Sequence, residues 1–406
     1  MVANVTGKPV RQNDFFDRER EIQKLWHHLN KDDVLLLAPR RVGKTSLMWR
    51  LLEQASDKKL CASYFSAADA ANELDFVREL HDAVVKIEPA KLRVDKLGKG
   101  PLGDFLSRIK KVGVPGVSLE LGDAQAPDWR KAGEVLVGTL SELEAKTLLL
   151  VDELPVFVLT LAKLDPSGNR AGDFLGWLRK LRETPETSER VRWLLAGSIG
   201  LDTVARRLRM SKTLGDLYVY SDLGPFSKKT SLLFLNELAQ SHVLPLSEEV
   251  KERICERLEW LLPYHLQLVF SELRDHSSDH QCAVSAEVVD LVYEKILAKR
   301  PYFDHWEERL HEELGEPDAR QAIDLLNAMA RDIHGVSMDT LKAILAKHVH
   351  DPEQRDEKLS YLLDILRGDG YLLFGPDERL RFCSPLLRDY WARRISARTM
   401  AGRTGA

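Results

Sequence analysis

Residues 33–52 read DVLLLAPRRVGKTSLMWRLL. Four apolar residues, Val34 to Leu37, run straight into a basic loop, and a segment with Leu47, Leu51 and Leu52 at helical spacing follows at once. A strand that stops at such a loop and restarts as a helix suits a phosphate cradle. Backbone N–H groups there wrap phosphate oxygens at the positive end of the helix. The loop Ala38-Pro39-Arg40-Arg41-Val42-Gly43-Lys44-Thr45-Ser46 has P-loop spacing, with alanine at the first glycine position. In this reading Gly43 lets the backbone approach the nucleotide, Lys44 reaches the terminal phosphates and the Thr45 hydroxyl ligates Mg²⁺. Arg40 and Arg41 touch phosphate or an acidic neighbour, and Ser46 closes the nucleotide-contacting stretch.

A phosphate loop that hydrolyses its nucleotide needs acids on a second strand. Leu148-Leu149-Leu150-Val151-Asp152-Glu153 supplies them: a hydrophobic run ending in two carboxylates, the pattern of a Walker B strand. Asp152 would hold the metal through its water shell, and Glu153 would orient and activate the attacking water. The sequence contains no NKxD-like guanine reader, so ATP/ADP is the expected nucleotide. Ser198, in LLAGSIG, falls at a strand end, where it would meet the attacking water or the γ-phosphate. Arg206, Arg207 and Arg209 read either as a solvated helix face or as an arginine finger into a neighbouring subunit.

Around these motifs, apolar runs alternate with helical spacing. Residues 14–30 place Ile22, Leu25, Trp26 and Leu29 on one helical face. Strands are expected at 34–37, 60–65, 146–158, 192–200 and 217–223. A helix-bearing insertion ending in a small hairpin is expected over 90–128. Continuous apolar strands separated by helices imply a parallel sheet covered by helices on both faces. The expected fold class is therefore α/β, a parallel-sheet P-loop NTPase core, followed by a helical segment that resembles the lid of such ATPases and by a winged-helix domain. The division is 1–226 for the core, 227–300 for the lid and 301–406 for the winged helix with its C-terminal helix. Three helical segments within 317–370 and the hairpin YLLFGPDERLRFCS carry the winged-helix reading. Leu386, Leu387, Tyr390 and Trp391 of the closing helix are expected to pack inward.

Taken together, FFDREREIQKL, APRRVGKTSL, TLLLVDELPVFV, LLAGSIGLDTV, PFSKKTSLLFL and LLPYHLQLVFSEL resemble the archaeal-type P-loop ATPases, near the STAND and AAA+ classes. The resemblance implies a nucleotide-proximal box at Asp17-Arg18-Glu19, with aspartate where glycine is usual. It also implies a lid motif at Pro263 that contacts nucleotide, with leucine in place of the usual glycine.

The 406 residues, 44% hydrophobic and 30% charged with a formal charge of −4, are those of a soluble globular protein rather than a nucleic-acid coat. No apolar run is long enough to span a bilayer and the polar N-terminus is no signal peptide, so no membrane partner and a cytoplasmic location are expected. The four cysteines are scattered without metal spacing, as reduced thiols would be. The functional expectation is an ATP-hydrolysing switch of the AAA+/STAND type whose nucleotide state repositions the winged helix. A protein partner would dock through the winged helix or the lid, and a nucleotide-dependent homo-oligomer is compatible with the arginine cluster. The alternative is an ATP-regulated DNA-binding protein resembling origin-recognition-type loaders. Against it, the third helix of the winged segment mixes Arg355, Lys358 and Arg367 with Asp356, Glu357 and Asp364, whereas phosphate binding needs a clearer basic surface.

Overall fold

The computed structural model describes residues 2–97, 128–197, 215–375 and 377–404. It divides into two compact units, each with its own apolar core. One unit comprises Arg18–Leu37 and Lys44–Asp222; the other comprises Met1–Asp17, Ala38–Gly43 and Leu223–Ala406. The insertion expected at 98–127 lies outside the described residues.

The first unit is the α/β one. In chain order it contains α1 (Glu19–Leu29), β1 (Val34–Leu37), α2 (Lys44–Gln54), β2 (Cys61–Ser66), α3 (Glu73–Val84), α4 (Glu88–Leu97) and α5 (Trp129–Ser141). Then follow β3 (Thr147–Asp152), α6 (Leu154–Leu164), α7 (Asn169–Glu183), the single turn α8 (Pro185–Ser188), β4 (Val191–Gly197) and β5 (Tyr218–Tyr220). The strands form one five-stranded sheet in the order β2-β3-β4-β1-β5, and every pairing is parallel. A single transverse row, Phe65-Val151-Leu195-Leu35-Val219, fixes the register across all five strands. The residues that end the strands therefore share one edge, and β4 lies between the strand leading into the phosphate loop and the strand carrying Asp152.

The strands form where they do because their apolar runs are covered on both faces: all six residues of β3 are buried. On α1, Ile22, Leu25, Trp26 and Leu29 are the buried residues, as the spacing predicts. Asn72 caps α3 by accepting from the Asp75 N–H, and Asp128 caps α5 by accepting from the Arg130 and Lys131 N–H groups. Beneath the sheet Phe76, Phe157 and Phe174 pack with ring centroids 4.8–5.2 Å apart. One expectation is corrected. The run 146–158 is not one strand: β3 ends at Asp152, and Leu154, Phe157, Val158 and Leu161 face the core as a helix. Glu153 takes a left-handed conformation (φ +53°) that breaks the strand, and Pro155 sits in the first helical turn, where its missing N–H costs nothing.

The second unit is largely helical. It contains α9 (Lys228–Ser241), α10 (Glu248–Leu258), α11 (Pro263–His280), α12 (Ala286–Ala298), α13 (Asp304–Leu314), α14 (Asp318–Met329), α15 (Met338–Leu345) and α16 (Pro352–Gly368). The antiparallel hairpin β6 (Leu372–Phe374) and β7 (Leu380–Phe382) follows, then α17 (Pro385–Thr404). Val336, just ahead of α15, bridges Leu380 and so joins the hairpin. Ser227, Ser247, Ser285, Ser337 and Asp351 cap the helices they precede. One apolar cluster runs from Phe226 through Leu258, Trp306 and Leu326 to Leu386, Leu387, Tyr390 and Trp391. The closing helix is fixed by the Tyr390 hydroxyl donating to Asp304 (2.8 Å) and the Trp391 indole N–H donating to Asn327 (2.9 Å).

Candidate functional site: the phosphate loop and the acids after β3

The loop after β1 bends through two left-handed residues, Arg41 (φ +65°) and Gly43 (φ +98°). Glycine meets that demand without strain. Ala38 is absent from the left-handed positions, which explains why a methyl group is tolerated where such loops usually carry glycine. Ala38 and Val42 are buried. Helix α2 begins at Lys44, so Lys44, Thr45 and Ser46 occupy its first turn. Their backbone N–H groups have no intrahelical acceptor and form the positive end of the helix. Lys44 and Ser46 are buried and Thr45 is half-buried.

The acids meet this turn directly. The Thr45 hydroxyl donates to Asp152 Oδ2 at 2.6 Å, across more than a hundred residues of chain. The same oxygen accepts the Tyr64 hydroxyl at 3.2 Å, and Asp152 Oδ1 accepts the Glu153 backbone N–H at 3.0 Å. Asp152 is 2% exposed, so its carboxylate is oriented by three donors in a desolvated setting. Glu153 follows in the left-handed turn, a strained conformation of the kind that persists at functional sites. Gly197, at the end of β4, has Pro155 against it, so close that a Cβ would lie 2.4 Å from the ring.

Chemically the arrangement offers a buried ammonium, the N–H groups of a helical first turn and oxygen donors only. That set suits a phosphate chain with a hard divalent cation rather than a thiophilic metal. Among the described residues no group of three or more His, Cys, Asp or Glu side chains could hold a metal by itself.

Arg41 places its guanidinium over the Tyr264 ring, 3.7 Å from the centroid, and burial lowers its pKa while Tyr264 counteracts. Pro263 stands in the first turn of α11, the position at which proline suits a helix. Pro39 and Trp260 close over Gly370: a Cβ there would lie 2.8 Å and 2.6 Å from them. Asp17 (φ +59°) and Arg18 (φ +76°) are both left-handed, so aspartate here adopts the backbone for which glycine is the usual choice. Arg18 is buried and pairs with Glu21 at 2.9 Å. Ser198, Arg206, Arg207 and Arg209 lie outside the described residues. Tyr64 is the site residue that sequence motifs do not reveal. Its only signal is alternation: Tyr64 pairs with Leu150 in register, two residues before Ser66 pairs with Asp152, so both face the same side.

Residues 15–265 match the sequence model of a family described as an ATPase domain predominantly from Archaea. The chain belongs to that ATPase family. No curated protein matches it. Among solved structures, this ATPase is similar to a Walker-type ATPase of Pyrococcus abyssi, at 19% identity and a TM-score of 0.62, over 95% of this chain and 98% of that one. It is also similar to the ORC2 protein of Aeropyrum pernix, at 14% identity and a TM-score of 0.56, over 97% and 98% of the two chains. At such identities the likeness is one of fold. It extends over the helical C-terminal region of the ATPase as well as its sheet.

Proposed function

We propose that the ATPase binds ATP with Mg²⁺ and hydrolyses it as a molecular switch of the AAA+/STAND type. The chain divides into the core 1–226, a lid 227–300 and a winged helix 301–406 whose position follows the nucleotide. The observation that carries this reading is the Thr45 hydroxyl seated 2.6 Å from Asp152, which joins the phosphate loop to the acids after β3 at one point. Thr45 would ligate the cation while still donating to Asp152, and Asp152 would accept from the cation's waters. Lys44 would neutralise the terminal phosphates, and Glu153 would orient the attacking water, with Ser198 beside it. The bound cation would supply charge neutralisation on the phosphate oxygens.

The regulatory role, rather than direct DNA readout, is favoured by the way the basic side chains around the hairpin are used. Lys342 pairs with Asp356 at 2.9 Å, Lys358 with Asp318 at 2.8 Å and Arg379 with Asp377 at 3.5 Å. Cations committed to neighbouring carboxylates neutralise few phosphates. The partner on this reading is a protein docked on the winged helix or lid. Mass measured with and without ATP decides whether Arg206, Arg207 or Arg209 works in trans in a homo-oligomer.

The test is nucleotide binding and turnover in two variants. Lys44→Ala should abolish measurable ATP binding. Glu153→Gln should retain ATP while turnover falls about a hundred-fold. Wild-type turnover in either variant would remove the assigned role, and a turnover that rises with duplex DNA would favour the DNA-binding alternative.

A further inference from the structure

Tyr64 is not part of any phosphate-loop or acidic motif, yet its hydroxyl lies on the oxygen of Asp152 that also receives Thr45. The two donors come from opposite sides of the sequence: Thr45 from the first turn of α2, Tyr64 from the neighbouring strand β2. Tyr64 is half-buried, and its ring meets Trp49 of α2 edge-on at 6.0 Å. The ring is thus held by the same helix that presents Thr45, and the hydroxyl points at the carboxylate. With Oδ1 committed to the Glu153 N–H, rotation of the carboxylate about its own axis would break all three bonds at once.

We propose that Tyr64 is a positioning residue for the metal-bound nucleotide, acting through Asp152. Its hydroxyl fixes the plane of the Asp152 carboxylate, so that Oδ2 stays aligned with Thr45 and with the waters of a divalent cation. Outer partners that orient the groups around a metal commonly change metal affinity about ten-fold or more when removed; Asp152 would meet the cation through its waters, and Tyr64 sets the orientation of the Asp152 oxygen that those waters meet. The inference rests on the nucleotide-binding reading of this site and assigns one further side chain to it.

Tyr64→Phe tests the inference, because it keeps the ring and its Trp49 contact while deleting only the hydroxyl. ADP binding is measured by calorimetry in EDTA and across a Mg²⁺ titration. The expected result is unchanged metal-free binding, with the Mg²⁺ concentration for half-maximal enhancement raised about ten-fold. In an Asp152→Asn background the same substitution should have no further effect, since the carboxylate through which it acts is gone. A Mg²⁺ titration superimposable on wild type overturns the inference. An equal loss of binding with and without metal overturns it too, as does an undiminished effect in the Asp152→Asn background. If wild-type protein itself binds no adenine nucleotide, the functional reading fails rather than the role of Tyr64.

Discussion

Arg182→Met would expose how β1 is held in place. Asp33, directly ahead of β1, accepts from Arg182 Nη1 at 3.1 Å and from the Trp193 backbone N–H at 2.9 Å. This one carboxylate therefore ties β1 to α7 and β4. The two side chains of the pair are 10% and 2% exposed, too buried for solvent to screen them. At an effective dielectric of about 20 their attraction at this distance is about 5 kcal/mol. Much of that only offsets desolvation, but removing the arginine leaves the desolvated carboxylate behind, which typically costs about 3–5 kcal/mol. Burial already raises the Asp33 pKa, with the Trp193 N–H and Arg182 pulling it back. Without Arg182 the rise is larger, and a raised folded-state pKa adds relative stability at low pH that is lost as pH rises through it. Urea unfolding should show Arg182→Met losing about 3 kcal/mol at neutral pH, with the gap to wild type narrowing towards acid. Asp33→Asn added to that variant should restore part of the loss. A loss under about 1 kcal/mol that does not vary with pH, or a double variant no better than the single, would refute the reasoning.

Two further outcomes are expected. Gly197→Ala drives a methyl group to 2.4 Å from the Pro155 ring, so the first turn of α6 must shift. Thermal or urea unfolding should register about 1–3 kcal/mol of destabilisation, and full stability would show that the turn after Glu153 yields freely. Burial is the largest single influence on Glu73 and acts to raise its pKa, but the Arg170 hydrogen bonds, a backbone N–H and the charges of Arg170 and Arg130 together outweigh it, and the net shift is downward. A depressed folded-state pKa gives stability that is complete above the ordinary carboxylate range and lost as pH falls through the lowered value. Arg170→Met should therefore flatten the acid limb of the stability profile measured by denaturant unfolding, and an unchanged limb would count against the pairing.

The parts of the fold legible in the sequence are those where one physical demand dominates. Val34–Leu36 and Leu148–Val151 are buried, and continuous apolar runs meet that demand. The phosphate loop was equally readable, because the left-handed turns and the first helical turn restrict residue type. The stretch 154–158 departs from the expected strand although LPVFV is as apolar as the strand before it. Its helical spacing, with Leu154, Phe157, Val158 and Leu161 buried, carried the signal that bulk hydrophobicity hid. Helix α13 is harder to read from sequence because charged residues dominate it, although Trp306, Leu310 and Leu314 recur four apart and are buried. Tyr64 was hidden for a different reason: its role depends on strand pairing across more than eighty residues, which no local pattern records.

The unbroken apolar cluster of the helical unit has a mechanical corollary. Phe226, Leu258, Trp306, Leu326 and Trp391 share one interior, which also takes in Leu372, Leu380 and Phe382 of the hairpin. A segment can swing independently only if it carries its own interior away with it. The helices and hairpin of this unit should therefore melt in one cooperative step rather than as two successive losses of structure.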